Sequence, residues 1–301
     1  MDKFFRWLSG NKKTSASAQD VTNTAPLSEQ QIQAIVNNQN PRFDLQQLIA
    51  SSGQSVGKQR ELNEDSLLSL TTTMAGNSGN LPFGLYIVAD GMGGHQFGEV
   101  ASNAAIRTVA GYVLRKFHPY LFHIKASAMD ESFQEIMQAA VSEAQHAIQR
   151  EAPGSGTTLT AALVLGQQIT IAHVGDSRAY FVYPDGRTET ITRDHSLVKR
   201  LEELGHITPD EAQNYPHRNV LYRALGQGEI LDPDIFTVGF PQPGYLMICS
   251  DGLWGVLTEQ DLARSINEAT SLQRACQNLV NAANAAGGPD NISVVLVQLI
   301  G

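Results

Sequence analysis

Four aspartates in this chain share one kind of setting. Asp90 closes the apolar run Tyr86–Ala89 and opens Gly91-Met92-Gly93-Gly94, while Asp251 closes Leu246–Ser250 and opens Gly252-Leu253-Trp254-Gly255. Asp176 lies in Val174-Gly175-Asp176-Ser177-Arg178 between two strand patterns, and Asp290 stands in Gly287-Gly288-Pro289-Asp290-Asn291 just before the last one. Asn63-Glu64-Asp65, shortly after Arg60, adds two more acids. An Asp-Gly pair taken alone marks a turn. Here Asp90 and Asp251 precede helical patterns, so neither reads as a hairpin tip, and strand ends of one sheet lie side by side. Carboxylates brought together repel: at about 4 Å and an effective dielectric near 20, each pair costs roughly 4 kcal/mol. Such a group needs cations or protons. No His or Cys accompanies it at zinc-ligand spacing, so Mg²⁺ or Mn²⁺ suits it better than Zn²⁺. The adjoining glycines let backbone carbonyls approach a metal. Two such ions about 3.5–4 Å apart clamp the attacking and leaving oxygens of a phosphoryl group. An arginine fork adds bidentate phosphate binding, and Arg60 is the candidate.

The elements that must position these residues alternate in blocks. Residues 83–89 form an apolar run too short for a helix and rich in strand formers. Residues 97–116 turn Ala-rich with helical spacing. Over 130–151, Phe133, Ile136, Met137, Ala140, Val141, Ala144 and Ile148 form one helical stripe, with Asp130 as the expected cap. Thr157–Leu165 and Gln168–Val174 read as a hairpin through Gly166-Gln167, and Arg178–Tyr183 with Arg187–Thr192 as a second through Pro184-Asp185-Gly186. Sequential hairpins predict antiparallel sheet. Residues 194–229 read as an insertion, with a short helix Leu197–Leu204 closed by Gly205 and another begun by Thr208-Pro209-Asp210-Glu211. Residues 245–249 form a strand, and Thr258–Glu268 a helix with capping-box spacing between Thr258 and Asp261. A further helix covers 271–286, and Ile292–Ile300 is the final strand. The expected fold is α+β, with helices covering sheets that pack face to face.

Composition sets the outer bounds. The 301 residues are 42 % apolar with a net charge of -9, which disfavours nucleic acid as the main partner. Two cysteines, Cys249 and Cys276, argue against a disulfide framework and make a reducing, cytoplasmic setting the default. No apolar run reaches the length of a membrane span. Met1–Gly10 is short and broken by Arg6, a poor signal peptide. Residues 1–42 read as a flexible leader, rich in Ser, Thr, Ala, Asn and Gln over 11–40, and 43–301 as one domain.

At these residues the sequence resembles the PPM family, the type 2C protein serine/threonine phosphatases. The resemblance runs in order through Gly57…Arg60-Glu61-Leu62-Asn63-Glu64-Asp65, Ala89-Asp90-Gly91-Met92-Gly93-Gly94-His95, Gly156-Thr157-Thr158, Ala172-His173-Val174-Gly175-Asp176-Ser177-Arg178, Ser250-Asp251-Gly252 and Asp290-Asn291. The form around Asp90 is that of bacterial members. The resemblance implies a central β-sandwich of two mainly antiparallel sheets flanked by helices, with a two-metal site at one end. It implies that Asp90 bridges two Mn²⁺ or Mg²⁺ ions, that Asp251 and Asp290 complete the first, and that the Gly91 carbonyl and, through water, Glu64 serve the second. Asp65 stands behind these ligands. A metal-bridging water would attack phosphorus with no phosphoenzyme intermediate, Arg60 would hold the phosphate, and residues 194–229 would form a flap that shapes substrate choice. Eukaryotic relatives carry a proposed general-acid histidine where this chain has Met92, so protonation of the leaving group by metal-bound water is the substitute. Asp176 and Asp251 fit a third metal, although Gly255 stands where some relatives add a carboxylate.

Other readings fit less well. A cysteine phosphatase needs Cys-x₅-Arg, and Cys249 and Cys276 meet Gly255 and Ala282 at that offset. A phosphodiesterase or nuclease conflicts with the net charge and the ordered motifs. A non-catalytic regulatory relative that binds phosphoproteins would be expected to lack metal aspartates, and Asp90, Asp251 and Asp290 are all present. His173 reads as a packed strand residue, Trp254 as a packing anchor, Cys249 as core, and His95 as a structural loop residue. The expected partners are phosphorylated proteins, including a serine/threonine kinase and its substrates, acted on by a monomer.

Overall fold

The computed structural model describes residues 45–76, 79–93, 97–122, 130–208, 211–212, 215, 219–228 and 231–301. They belong to one compact unit, Phe43–Gly301. The leader expected over 1–42 and His95 lie outside the described residues.

Two sheets form the centre. One has the strand order β1 (Gln47–Ser55), β11 (Ile292–Ile300), β10 (Tyr245–Cys249), β7 (Arg178–Val182) and β8 (Thr188–Thr190). The other runs β2 (Asp65–Gly76), β3 (Gly79–Met92), β5 (Leu159–Leu165), β6 (Gln168–Val174) and β9 (Asp234–Gly239), with the short β4 (Gly156–Thr157) on the end of β3. Every pairing is antiparallel. Helices α1 (Phe97–Phe122) and α2 (Phe133–Glu151) cover the second sheet. Helices α4 (Asp251–Trp254), α5 (Glu259–Asn267) and α6 (Leu272–Ala285) cover the first, and α3 (Leu197–Glu203) lies in the insertion.

The burial pattern explains the four layers. Along β3, Phe83, Leu85, Ile87 and Ala89 pack toward α1 and α2, whereas Tyr86 and Val88 pack between the sheets. Both faces are covered, so the strand reads as an unbroken apolar run. From the opposing sheet, Ala179, Phe181, Leu246, Ile248, Val295 and Val297 complete the inter-sheet layer. Asp90 continues the parity of Tyr86 and Val88. It therefore falls on the inter-sheet face at the mouth of the sandwich, where apolar packing gives way to carboxylates. Asp65 is its register partner on β2.

Several expectations need correction. Asp90 does not end its strand: β3 continues to Met92 because Gly91 and Met92 pair with Thr157 and Gly156. The same pairing detaches β4 from β5 at Thr158 and splits the expected strand 157–165. Asp130 does not cap α2. Ser132 does, because its hydroxyl accepts from the Glu135 N–H while the Glu135 carboxylate accepts from the Ser132 N–H, a reciprocal pairing open to no residue at 130. Helix α1 runs past residue 116 to Phe122, with Phe117 and Leu121 buried beneath it. Strands β1, β2 and β9 carry no strand pattern in the sequence reading. The capping box at Thr258 and Asp261, the closure of α3 by Gly205 with φ 71°, and the bounds of β10 and β11 match it.

The insertion is tied down at its stem. The Leu197 N–H donates to the Val220 carbonyl, the Tyr222 N–H to His195, and Thr157 and Leu225 bridge in both directions. Among the described residues no helix is long and apolar enough to cross a membrane.

The Ser132 cap is remote from the carboxylates. Replacing it by Ala is expected to cost about 1 kcal/mol of stability, read as a lower urea midpoint at unchanged slope, with catalytic rate unaltered.

Candidate active site

The mouth of the sandwich gathers six acids from five separate segments. Asp65 opens β2, Asp90 lies near the end of β3, Asp251 opens α4, and Asp290 precedes β11. Asp176 sits in the β6–β7 turn and Glu64 just before β2. Backbone bonds hold Asp90 and Asp176, and side-chain bonds hold Asp65 and Asp290. The Asp90 N–H donates to the Thr158 hydroxyl at 2.9 Å, and the Asp90 carbonyl accepts from the Thr158 N–H at 2.8 Å and the Thr157 hydroxyl at 2.9 Å. The Ser250 hydroxyl donates to Asp65 Oδ2 at 2.7 Å and accepts from the Ser293 N–H at 3.0 Å. Trp254 donates its indole N–H to the Asp176 carbonyl at 3.0 Å, and Arg178 stacks on the Trp254 ring at 3.5 Å while gripping Asp194 with two nitrogens. Trp254 is thus a packing anchor, as read. His173 is fully buried, bonded to Thr160 and the Arg193 carbonyl, and does not reach the acids.

Electrostatics single these acids out. Burial, then the charges of Asp65, Asp251, Asp176 and Asp290, holds the Asp90 carboxyl far above the usual range. Burial pushes Asp65 up to about 7, with Asp251 and Asp290 adding to the shift against the hydrogen bonds from Ser250 and Ser293. Asp176 is raised by burial and by Asp251 and Asp194, with Arg178 opposing. Asp251 is raised by burial and by Asp290, against Asp90, Arg60 and the Gly252 N–H. Glu64 is raised by burial, against Arg60.

The donors fit hard divalent cations. Asp65 Oδ1 and Asp251 Oδ1 are buried without a hydrogen-bond partner, an arrangement that costs free energy unless something positive is bound. Only oxygen donors are present. Among the described residues no three acidic, His or Cys side chains converge tightly enough to hold an ion as they stand, so the acids are grouped within electrostatic range and not closed into a cage. Space beside them is kept by glycine. A Cβ on Gly91 would collide with the Gly98 carbonyl and crowd that of Glu64, and one on Gly98 would crowd the Glu64 carboxylate at 2.5 Å.

Arg60 is half-exposed, with its Nη2 on Asp290 Oδ2 at 2.7 Å. Met92 lies where its sulfur can accept only a weak bond, from Gln227 Nε2 at 3.8 Å. Gly255 caps α4 and offers no carboxylate. Cys249 is fully buried and its thiol is pushed far up by burial.

Residues 52–287 match the protein phosphatase 2C family. The chain belongs to that family. It is 36 % identical over 214 residues to the serine/threonine phosphatase stp of Listeria innocua, covering 71 % of this chain and 84 % of that one. It is 31 % identical over 247 residues to protein phosphatase PhpP of Streptococcus pneumoniae, covering 81 % and 94 %. Among solved structures it resembles the Mycobacterium tuberculosis serine/threonine phosphatase PstP/Ppp with a TM-score of 0.69 and 30 % identity, over 85 % of this chain and all of that one. The PstP catalytic domain in complex with two manganese ions matches with a TM-score of 0.67 and 29 % identity, over 85 % and 100 %. The chain is a protein serine/threonine phosphatase of bacterial type.

The sequence reading missed Asn291 as more than a motif residue, and missed Ser250 and Ser293 as the hydroxyl and N–H that brace Asp65. Ser250 precedes the Asp251 motif, and Asn291 follows Asp290, so adjacency was the available signal.

The raised Asp65 carries a pH signature for the metal-free phosphatase. Its unfolded pKa is about 3.9 and its folded value about 7. Between these values the folded protein binds more protons at this group than the unfolded chain, so stability falls as pH rises through that window. The melting temperature of Asp65→Asn should therefore gain on the metal-free wild type as pH rises from about 5 to about 8. A gap that stays constant with pH rules the strained carboxyl out.

Proposed function

We propose that this phosphatase hydrolyses phosphoserine and phosphothreonine in proteins with two divalent cations, Mn²⁺ or Mg²⁺, held at the carboxylate mouth, and without a phosphoenzyme intermediate. The observation that carries the reading is the set of destabilised carboxylates with two buried, unpartnered oxygens at one end of the sandwich. Asp90, Asp251 and Asp290 are the proposed ligands of one cation. Asp90, the Gly91 carbonyl and, through water, Glu64 serve the other. Asp65 braces the set from behind, and Asp176 with Asp251 provides for a third. The two manganese ions of the related PstP structure support a two-cation site. When bound, such ions activate water and offset charge on the phosphoryl oxygens.

The chain's own residues supply the rest. Arg60 uses one nitrogen on Asp290, leaving further donors in a planar fork that matches a phosphate. The described nucleophiles near the acids are committed elsewhere: Ser250 is buried and donates to Asp65, and Cys249 is held as a neutral core thiol. That supports attack by water. Met92 cannot donate a proton, so the leaving alkoxide takes one from the aqueous mouth. The insertion over 194–229, of which Gln227 stands at Met92, is the proposed flap. The substrates follow from the reaction: phosphorylated proteins, with a cognate serine/threonine kinase as their source by family analogy.

Hydrolysis of a phosphothreonine peptide with Mn²⁺ titrated from zero tests the reading. Wild type should be inactive without metal and saturate with it, and Asp251→Asn should lose about 10²-fold or more in kcat. Metal-independent turnover by the wild type, or full activity in the folded variant, overturns it.

A further inference from the structure

Asn291 is 5 % exposed and spends its whole side chain on one loop. Its Oδ1 accepts from the Glu64 N–H at 2.8 Å. Its Nδ2 donates to the Val56 carbonyl at 2.8 Å and to the Leu62 carbonyl at 2.9 Å. Its own N–H donates to Asp290 Oδ1 at 2.9 Å. The amide orientation is unambiguous on chemical grounds, since a flip would turn donors toward an N–H and an acceptor toward two carbonyls. The segment held this way, residues 56–64, carries Arg60 and Glu64. It has no helix or strand of its own; its further bonds include those of the Lys58 and Gln59 N–H groups to the Gly288 carbonyl, and the Glu64 carbonyl accepts from the Gly91 N–H at 3.2 Å and the Ser102 hydroxyl at 2.6 Å. Close contact is enforced around the lock. Gly57 adopts φ 84° and a Cβ there would collide with the Asp290 carbonyl, while one on Gly252 would collide with the Asn291 carbonyl.

We infer that Asn291 is a positioning residue: one buried amide fixes the Arg60–Glu64 loop in register with Asp290, so that the phosphate-holding fork and the carboxylates form as a unit. Asn291 touches neither substrate nor metal in this assignment. The inference rests on the proposed roles of Arg60, Glu64 and Asp290. The physical logic is that a loop without regular structure must be set by side-chain bonds that leave it one geometry, and an error of about 1 Å at such a site costs on the order of 10²-fold in rate. The three side-chain bonds use both amide donors and one of the two acceptor positions of the asparagine. Aspartate, of nearly equal shape, keeps the acceptor for Glu64 and turns a second acceptor toward the Val56 and Leu62 carbonyls.

The test compares wild type, Asn291→Asp, Asn291→Ala and, as controls for the site itself, Arg60→Ala and Asp290→Asn. Two readouts are used: hydrogen exchange of the metal-free proteins, and steady-state hydrolysis of a phosphothreonine peptide across a Mn²⁺ titration. In wild type the Glu64 amide should exchange among the slow class. In both Asn291 variants it and its loop neighbours should exchange at least about tenfold faster, while strands β3 and β5 keep their protection. KM for the peptide and the Mn²⁺ concentration for half activity should both rise, and kcat/KM should fall about 10²-fold, more than the change in melting temperature accounts for. Should Asn291→Ala not fold, Asn291→Asp and the wild-type Glu64 amide still decide. Fast wild-type exchange at Glu64, or Asn291 variants with wild-type KM and metal dependence while the controls are impaired, overturns the inference. Controls that retain full activity reject the site reading beneath it instead.

Discussion

The structure turns on the mutual repulsion of carboxylates placed where a hydrophobic layer ends. The inter-sheet core runs from Leu48 and Leu299 through Tyr86, Val88 and Ile248, and the same strand parity then delivers Asp65 and Asp90 to its mouth. Two unpartnered buried oxygens and four raised aspartates are an unfavourable arrangement for an isolated chain. They persist because the sandwich over-determines them. Long ladders, such as the twelve paired positions of β2 and β3, place the carboxylates whatever their charges prefer. Stability is thus given up at one end of the fold, and an opposing charge is what restores it.

The surroundings follow from that constraint. Glycines 91, 98 and 252 stand where backbone and carboxylates crowd together, so the cluster is compact without side chains intruding. Threonines 157 and 158 hold the Asp90 backbone. Trp254, stacked under Arg178, holds the Asp176 carbonyl, and Arg178 reaches on to Asp194 at the entry to the insertion. Two sets of hydrogen bonds linked by a cation–π stack therefore join the acids to the first residue of the proposed flap. Its return leg is fixed as firmly: Gln145 on α2 accepts from the Gly226 N–H at 2.6 Å. Both feet of the insertion are thus bonded to regular elements of the sandwich and its helices.

Much of this was legible in the residues. The acids Asp90, Asp251 and Asp290 stood out because each follows or precedes an apolar strand, and β10 and β11 are buried runs with clean ends. The α2 stripe was equally plain, with Ile136 through Ile148 at helical spacing. What stayed hidden has physical causes. Strands β1 and β2 are rich in Ser, Thr and Gln and lie at sheet edges, so pairing with β11 and β3 makes them strands where local pattern does not. The extension of β3 past Asp90 depends on β4, distant in sequence. Asn291 gave no sign of its partners because Glu64, Val56 and Leu62 lie at the other end of the chain. Local chemistry announces charged groups, whereas the amides and hydroxyls that hold them become visible only once the fold has brought them together.

The most direct test of the central claim is the number of protons released when Mn²⁺ binds, from calorimetry in buffers of different ionisation enthalpy near pH 6.5. Carboxyls held above their ordinary range by burial and by one another must give up protons to take a cation. Net release that grows as pH is lowered from about 7.5 to about 6 is the predicted result. Binding with no proton release would mean that the acids are already ionised and unstrained, and would contradict the account.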